Sequence, residues 1–209
     1  MAQTKKTTTR TASKPTTDGK ERCAWGPRGG ELMTVYHDTE WGVPVHDDQK
    51  QFEFLTLESA QAGLSWLVVL RKREAYRKAF ADFNAEKVAR FTDKRIEKLI
   101  ADPGIIRNRL KVVAAVTNAH KFLEVQEEFG TFDKYIWSFV GGKPIQNRLE
   151  DMKHLPATSK ESDALSKDLK ARGFKFVGST IMYAHMQAVG MVNDHLTTCF
   201  RHKPCARLK

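Results

Sequence analysis

The 209-residue chain predicts an all-α protein. Apolar residues recur at helical spacing through most of its length, and residues suited to capping stand at the ends of those stretches. No stretch alternates with the period of two expected of a half-buried strand, although Phe174 to Val177 suits an extended segment. There is no internal repeat.

In order, residues 1–20 are read as a disordered basic tail, because Lys5, Lys6, Arg10, Lys14 and Lys20 face only Asp18 in a Thr-rich stretch without an apolar face. Residues 21–30 are rich in Gly and Pro and predict a loop. Residues 36–44, Tyr-His-Asp-Thr-Glu-Trp-Gly-Val-Pro, read as short, aromatic and irregular. Residues 52–66 form the central element: Phe52, Leu55, Ala62 and Trp66 share one helical face, and Leu57, Ala60 and Leu64 a neighbouring one. A helix apolar on so many sides is buried. Gly63 and Ser65 predict a break just before Trp66, where a second helix runs to about Phe80. Asn84 and Thr92 cap two short helices, the second reaching about Ala101. A long helix runs from about 109 to Phe129, another spans about Phe132 to Val140, and 141–157 is a loop. Thr158 with Glu161 suggests a capping box for a helix ending at Gly173. Gly178 opens a last helix through Val189, and a Cys/His-rich segment follows.

Composition bounds the function. The hydrophobic fraction of 41% is ordinary for a globule, and no apolar run approaches the roughly 20 residues a membrane helix needs. The formal net charge is +10, of which the tail supplies four, so the rest of the chain is still basic. That favours a polyanionic partner, most simply nucleic acid. Three cysteines, Cys23, Cys199 and Cys205, make a poor disulfide framework and point to a reducing compartment, with the thiols buried or bound to metal.

Three constellations carry chemistry. Glu58 is the only acid between Glu53 and Glu74, in the middle of the most apolar helix. Ionised carboxylates are rarely buried without a partner or a task. With Gln61 one turn on and Trp66 beyond the break, one wall can hold a carboxylate, an amide and an aromatic plane, which suits a flat, nitrogen-rich ligand; the alternative is a Glu on a solvated stripe. Second, His195 and Cys199 have the spacing of two ligands on one turn, and Cys23 with His37 supplies another thiolate and imidazole near the other end. Two Cys and two His complete a tetrahedral set and leave no open position, so such a zinc is structural; His202 and Cys205 are rival ligands. Third, Pro103-Gly104-Ile105-Ile106 between two helices has the form of a helix-hairpin-helix whose amides can face a phosphate, with Arg107, Arg109 and Lys111 beside them; the alternative is an ordinary helical hairpin.

Six segments in order carry a family resemblance: Cys-Ala-Trp (23–25), residues 36–44, Leu-Glu-Ser-Ala-Gln-Ala-Gly-Leu-Ser-Trp (57–66), Gly-Ile-Ile-Arg-Asn-Arg (104–109), Gly-Phe-Lys-Phe-Val-Gly (173–178) and Asn-Asp-His (193–195). Over about residues 21–200 the chain resembles the DNA-3-methyladenine glycosylase I family. The resemblance implies a helix-hairpin-helix glycosylase fold in 21–200, with a zinc annex from 21–45 and 190–200, the hairpin unit in about 92–120, and a basic tail in 201–209. Cys23, His37, His195 and Cys199 match the family's ligands for one structural zinc. Glu58 and Tyr36 match the catalytic-site groups that hydrogen-bond the extruded base, Trp66 the ring stacked on it, and Trp25 and Trp41 further pocket aromatics. Gly104, Ile105, Arg107 and Lys111 are the expected contacts to the DNA backbone. Met33 stands where the family pattern has a Tyr, so one pocket wall differs.

The implied reaction is hydrolytic excision of 3-methyladenine from double-stranded alkylated DNA, leaving an abasic site and releasing the free base, by a monomeric bacterial cytoplasmic enzyme. A base inside the duplex is out of reach, so the nucleotide must be flipped out. Methylation at N3 makes the base cationic and already a good leaving group, so selection is the harder task. No lysine motif suggests a Schiff base, hence a monofunctional hydrolase is expected. Two rivals differ in what they predict. A non-enzymatic, zinc-stapled DNA-binding module has no pocket around Glu58, and a related glycosylase has another base preference.

Overall fold

The computed structural model describes residues 18–208, so the N-terminal tail lies almost wholly outside the described residues. The chain order is α1 (Trp25–Arg28), α2 (Glu31–Thr39), α3 (Asp48–Gln61), α4 (Trp66–Ala79), α5 (Ala85–Ala89), α6 (Asp93–Ala101), α7 (Arg109–Phe129), α8 (Phe132–Ser138), β1 (Ile145–Gln146), α9 (Lys160–Ala171), α10 (Ser179–Ala188), β2 (Val192–Asn193) and α11 (His202–Ala206). The fold is all-α, as the periodicity predicts. Among the described residues no helix is long and apolar enough to cross a membrane.

Helix α3 runs through the middle. Every residue from Gln51 to Ala60 is buried, and the helix packs on α4, α7, α8 and α10. Phe52 meets Phe122 with ring centroids 5.2 Å apart, and Phe122 stacks on Phe132 at 4.1 Å. The helix begins where Asp47 accepts a hydrogen bond from the Lys50 amide at 2.7 Å. It ends before Gly63, whose φ of +77° suits a residue without a Cβ. Asn84 and Thr92 cap α5 and α6 from their side chains, and Asn108 does the same for α7.

Four details differ from the sequence reading. Residues 36–39 belong to α2, and 25–28 form the short α1, so much of the irregular N-terminal stretch is helical. The polar residues that disguise α2 have partners of their own: His37 and Asp38 are bonded to each other at 2.7 Å. The capping box lies one residue later than expected, with Ser159 and Ser162 exchanging side chain-to-amide bonds at 2.8 and 3.2 Å. Residues 174–177 are not a strand; Phe176 has φ +54°, and Asn118 satisfies both backbone groups of Lys175. The strands that do form are β1 and β2, paired in parallel with Ile145 opposite Val192 and extended by a Leu149–Leu196 bridge. Two residues are too few to show alternation. Finally, part of the expected C-terminal tail forms α11, whose Cys205 is buried.

Candidate active site and metal centre

A cavity of about 280 Å³ opens between the C-terminal half of α3, the start of α4, α2 and α10. Its walls include Trp25, Met33, Tyr36, Trp41, Glu58 and Trp66. Thus the candidate base-contacting residues, which come from four helices and the turn after α2, line one space. Tyr36 and Trp66 lie 5.4 Å apart between ring centroids and Trp25 and Trp41 5.0 Å apart, edge to face. Met33, where the resemblance implies a Tyr, lines the cavity as an apolar side chain. Leu155, Ala184 and Gln187 also line the cavity. Sequence reading missed all three, because each is brought in from the distant loop or α10 and carries no local signal.

Glu58 is 4% exposed and has no hydrogen-bond partner among the described residues. Burial alone raises its carboxyl to about 8, which favours the protonated form at neutral pH. The Tyr36 hydroxyl is pushed well above its ordinary range, first by burial and then by the charge of Glu58. An unpartnered acid facing aromatic rings can accept hydrogen bonds from a ligand's N–H groups and neutralise a cationic ring.

Beside this cavity Cys23, His37, His195 and Cys199 converge, all buried, with their ligand atoms within 4.8 Å of one another. Cys199 Sγ is 3.5 Å from both His37 Nε2 and His195 Nδ1, and Cys23 Sγ is 3.7 Å from His195 Nδ1. A tetrahedral zinc with bonds of about 2.3 Å to sulfur and 2.0 Å to nitrogen sets those atoms about 3.5 Å apart, so the donor set fits the ion. The Cys199 thiol is held well down, first by the hydrogen bond with Cys23 and then by the two imidazoles. His202 is not part of the set; its Nε2 donates to the Asn147 carbonyl at 3.1 Å. Cys205 is also outside it. The segment from His195 to Cys199 is a series of turns and not a helix.

The outer contacts fix the ligands and tie them to the pocket. His37 Nδ1 is bonded to Asp38, which Arg22 grips at 2.7 and 3.0 Å. His195 Nε2 donates to the Trp41 carbonyl at 3.0 Å, so the other nitrogen is left for the metal and a pocket ring is tethered by the same histidine.

The hairpin between α6 and α7 departs from expectation. Gly104 has an ordinary φ; glycine is needed there for space, since a Cβ would lie 2.9 Å from Asp102 Oδ1 and 3.1 Å from the Ala75 methyl. Its amide donates to Asp102 at 2.7 Å, and the Ile105 side chain is buried. Lys72 donates to the Pro103 and Gly104 carbonyls at 2.8 and 3.3 Å, while Tyr76 accepts from the Ile106 amide at 3.2 Å, so the turn is docked on α4. Lys111 is the main correction. Its ammonium points inward and donates to the Ala60 and Ala62 carbonyls at 2.8 and 2.6 Å, capping the end of α3. Arg109 pairs with Glu97, and only Arg107 of the proposed cations is exposed without an ion pair among the described residues.

The sequence profile described as methyladenine glycosylase matches residues 25–202. The chain is 47% identical over 179 residues to the DNA-3-methyladenine glycosylase 1 of Escherichia coli (strain K12), covering 86% of this chain and 95% of that one. It is 46% identical over 185 residues to the DNA-3-methyladenine glycosylase of Haemophilus influenzae, covering 88% and 97%. Among solved structures it superposes with a TM-score of 0.84 on the Staphylococcus aureus 3-methyladenine DNA glycosylase I studied for its recognition of 3-methyladenine, at 39% identity over 87% of this chain and 96% of that one.

Proposed function

Because the chain belongs to the methyladenine glycosylase family, we propose that it excises 3-methyladenine from alkylated DNA by drawing the flipped base into the cavity around Glu58. It is a DNA-repair glycosylase, a hydrolase of the N-glycosyl bond. The observation that carries the pocket assignment is Glu58 itself, a buried carboxyl with no hydrogen-bond partner among the described residues, on the wall of an aromatic cavity. Trp66, Trp25 and Trp41, which all line the cavity, offer a cationic ring stacking and cation–π attraction of roughly 0.5–2 kcal/mol per contact. Glu58 and Tyr36 take the hydrogen bonds of the adenine edge. As the bond to the sugar breaks, the base loses its positive charge and its attraction to Glu58 weakens, so Glu58 serves chiefly to select the damaged base. We further propose a monofunctional, monomeric bacterial enzyme of the cytoplasm, with one structural zinc held by Cys23, His37, His195 and Cys199. When bound, the ion clamps the N- and C-terminal segments together. The rival reading, a DNA-binding module without chemistry, calls for no cavity at Glu58.

The raised carboxyl gives the test. Below about pH 8 the carboxylate is the minor form and grows about tenfold per pH unit. Single-turnover release of 3-methyladenine at sub-saturating enzyme is therefore expected to rise from pH 6 to 8 and level off above it, and Glu58→Gln is expected to remove the rise. Stability runs the other way. A buried acid with a raised pKa favours folding fully below its unfolded value of 4.5, and this contribution is lost as the pH climbs to about 8. The melting temperature should fall over that window in the wild type, and less in Glu58→Gln. A pH profile of excision shared by both proteins would remove Glu58 from base recognition.

The hairpin separates the roles of two cations. Arg107→Gln should lower the salt slope of duplex binding by about one, as loss of a phosphate contact does. Lys111→Gln should leave the slope unchanged and cost about 1.5–3 kcal/mol of stability, since two buried-side carbonyls lose a charged donor. Thermal melts and salt titrations on the two variants check this directly.

A further inference from the structure

A second cavity, of about 540 Å³, lies where the 147–157 loop meets the C-terminal segment, and nothing in the glycosylase reading uses it. Arg148, Lys203 and Arg207 stand around it, with the Thr197 hydroxyl and a single acid, Glu150. These three cations are exposed and form no ion pair among the described residues. By contrast, Arg73, Arg77, Arg109 and Arg172 are each matched to a carboxylate. Arg207, the C-cap residue of α11, lies one turn after Lys203, so their charges reinforce each other on the same side.

The frame behind them is fixed. The Thr197 amide donates to the Leu149 carbonyl at 2.8 Å, and His202 is held from both sides, its ring by the Asn147 carbonyl and its own carbonyl by Asn193 at 3.0 Å. This frame continues to the base pocket. Asn147 donates to Asp194 at 2.6 Å, and Asp194 accepts from Gln187 at 2.8 Å. Gln187 lines the pocket, as does Leu155 from the same loop.

The lining decides the ligand class. No Trp, Tyr, Phe or large apolar side chain is among the residues lining this cavity, and its one ring, the His202 imidazole, is held by the Asn147 carbonyl at 3.1 Å, so it offers little stacking surface for a base. Three free cations and a hydroxyl donor suit a phosphate oxyanion. We propose that this cleft holds a backbone phosphate of the DNA duplex, a second anchor remote in sequence from the α6–α7 hairpin and joined to the base pocket through Asn147, Asp194 and Gln187. The assignment rests on DNA being the substrate.

The test compares the full-length wild type with Lys203→Gln/Arg207→Gln and with a control, Lys167→Gln/Lys170→Gln on α9, which removes the same charge from exposed lysines elsewhere. Affinity for an undamaged duplex is measured across a salt series, after melts show that both variants are folded. The cleft variant is expected to lose about one to two units of salt slope and the control none. Equal slopes in the wild type and the cleft variant would overturn the site, and so would equal losses in both variants, which mark a diffuse effect of net charge. The readout is duplex binding and not base release. A wild type that binds duplex without releasing 3-methyladenine would count against the glycosylase reading, while the slope comparison would still decide the cleft.

Discussion

A chain carrying both Cys23→Ser and Cys199→Ser is expected to bind no zinc and to melt at a much lower temperature than the wild type. The four ligands come from the N-terminal loop, α2 and the C-terminal turns, so a bound ion would close a long loop of the chain. Among the described residues, the remaining links between these ends include the Phe200 amide to the Glu21 carbonyl at 2.9 Å. Structural zinc sites contribute binding free energy directly to folding, on the order of 10 kcal/mol in small domains. Even half of that, for a chain of this size, lowers the midpoint by roughly 10–20 °C. The same loss reaches the pocket, because His195 tethers Trp41 and because Trp25 and Tyr36 flank Cys23 and His37 in sequence. Base release should therefore fall with metal content even where the variant is still folded. Elemental analysis of the purified proteins, followed by thermal melts with and without a chelator, checks both parts. Full metal occupancy in the double variant would refute the ligand assignment.

What the sequence made legible follows from how local each cause is. Helices α3 to α10 declared themselves because their apolar spacing and caps lie within the elements; Asn84 and Thr92 act as caps where expected. Helix α2 was hidden because its polar residues serve partners outside it, His37 the metal set and Asp38 the Arg22 guanidinium. The burial of Glu58 could be argued from the apolar run around it. The other side of its pocket could not, since Gln187 and Leu155 arrive from 129 and 97 residues away in the chain, with nothing local to mark them. Lys111 shows the same limit in reverse. Its position beside the hairpin amides suggested a phosphate, but the direction of a long side chain depends on which acceptors the fold brings near. Here they are the carbonyls at the end of α3.

Glu58→Gln is expected to lower excision of 3-methyladenine roughly ten- to a hundredfold, a loss of about 1.4–2.8 kcal/mol of interaction with the base. Glutamine keeps the size and one acceptor, but it removes the charge that favours a cationic ring and presents a donor to the adenine amine. A solvated structural residue would behave otherwise, since surface substitutions usually stay within about 0.5 kcal/mol. Trp66→Ala should show a similar loss for a different reason, removal of the stacking plane. Neither residue is placed against the DNA backbone, so general affinity for DNA should hardly change. The decisive measurement is single-turnover base release and undamaged-duplex affinity on the same folded preparations of wild type, Glu58→Gln and Trp66→Ala. The pocket assignment predicts slow release with near wild-type duplex affinity in both variants. Wild-type release by both would contradict it.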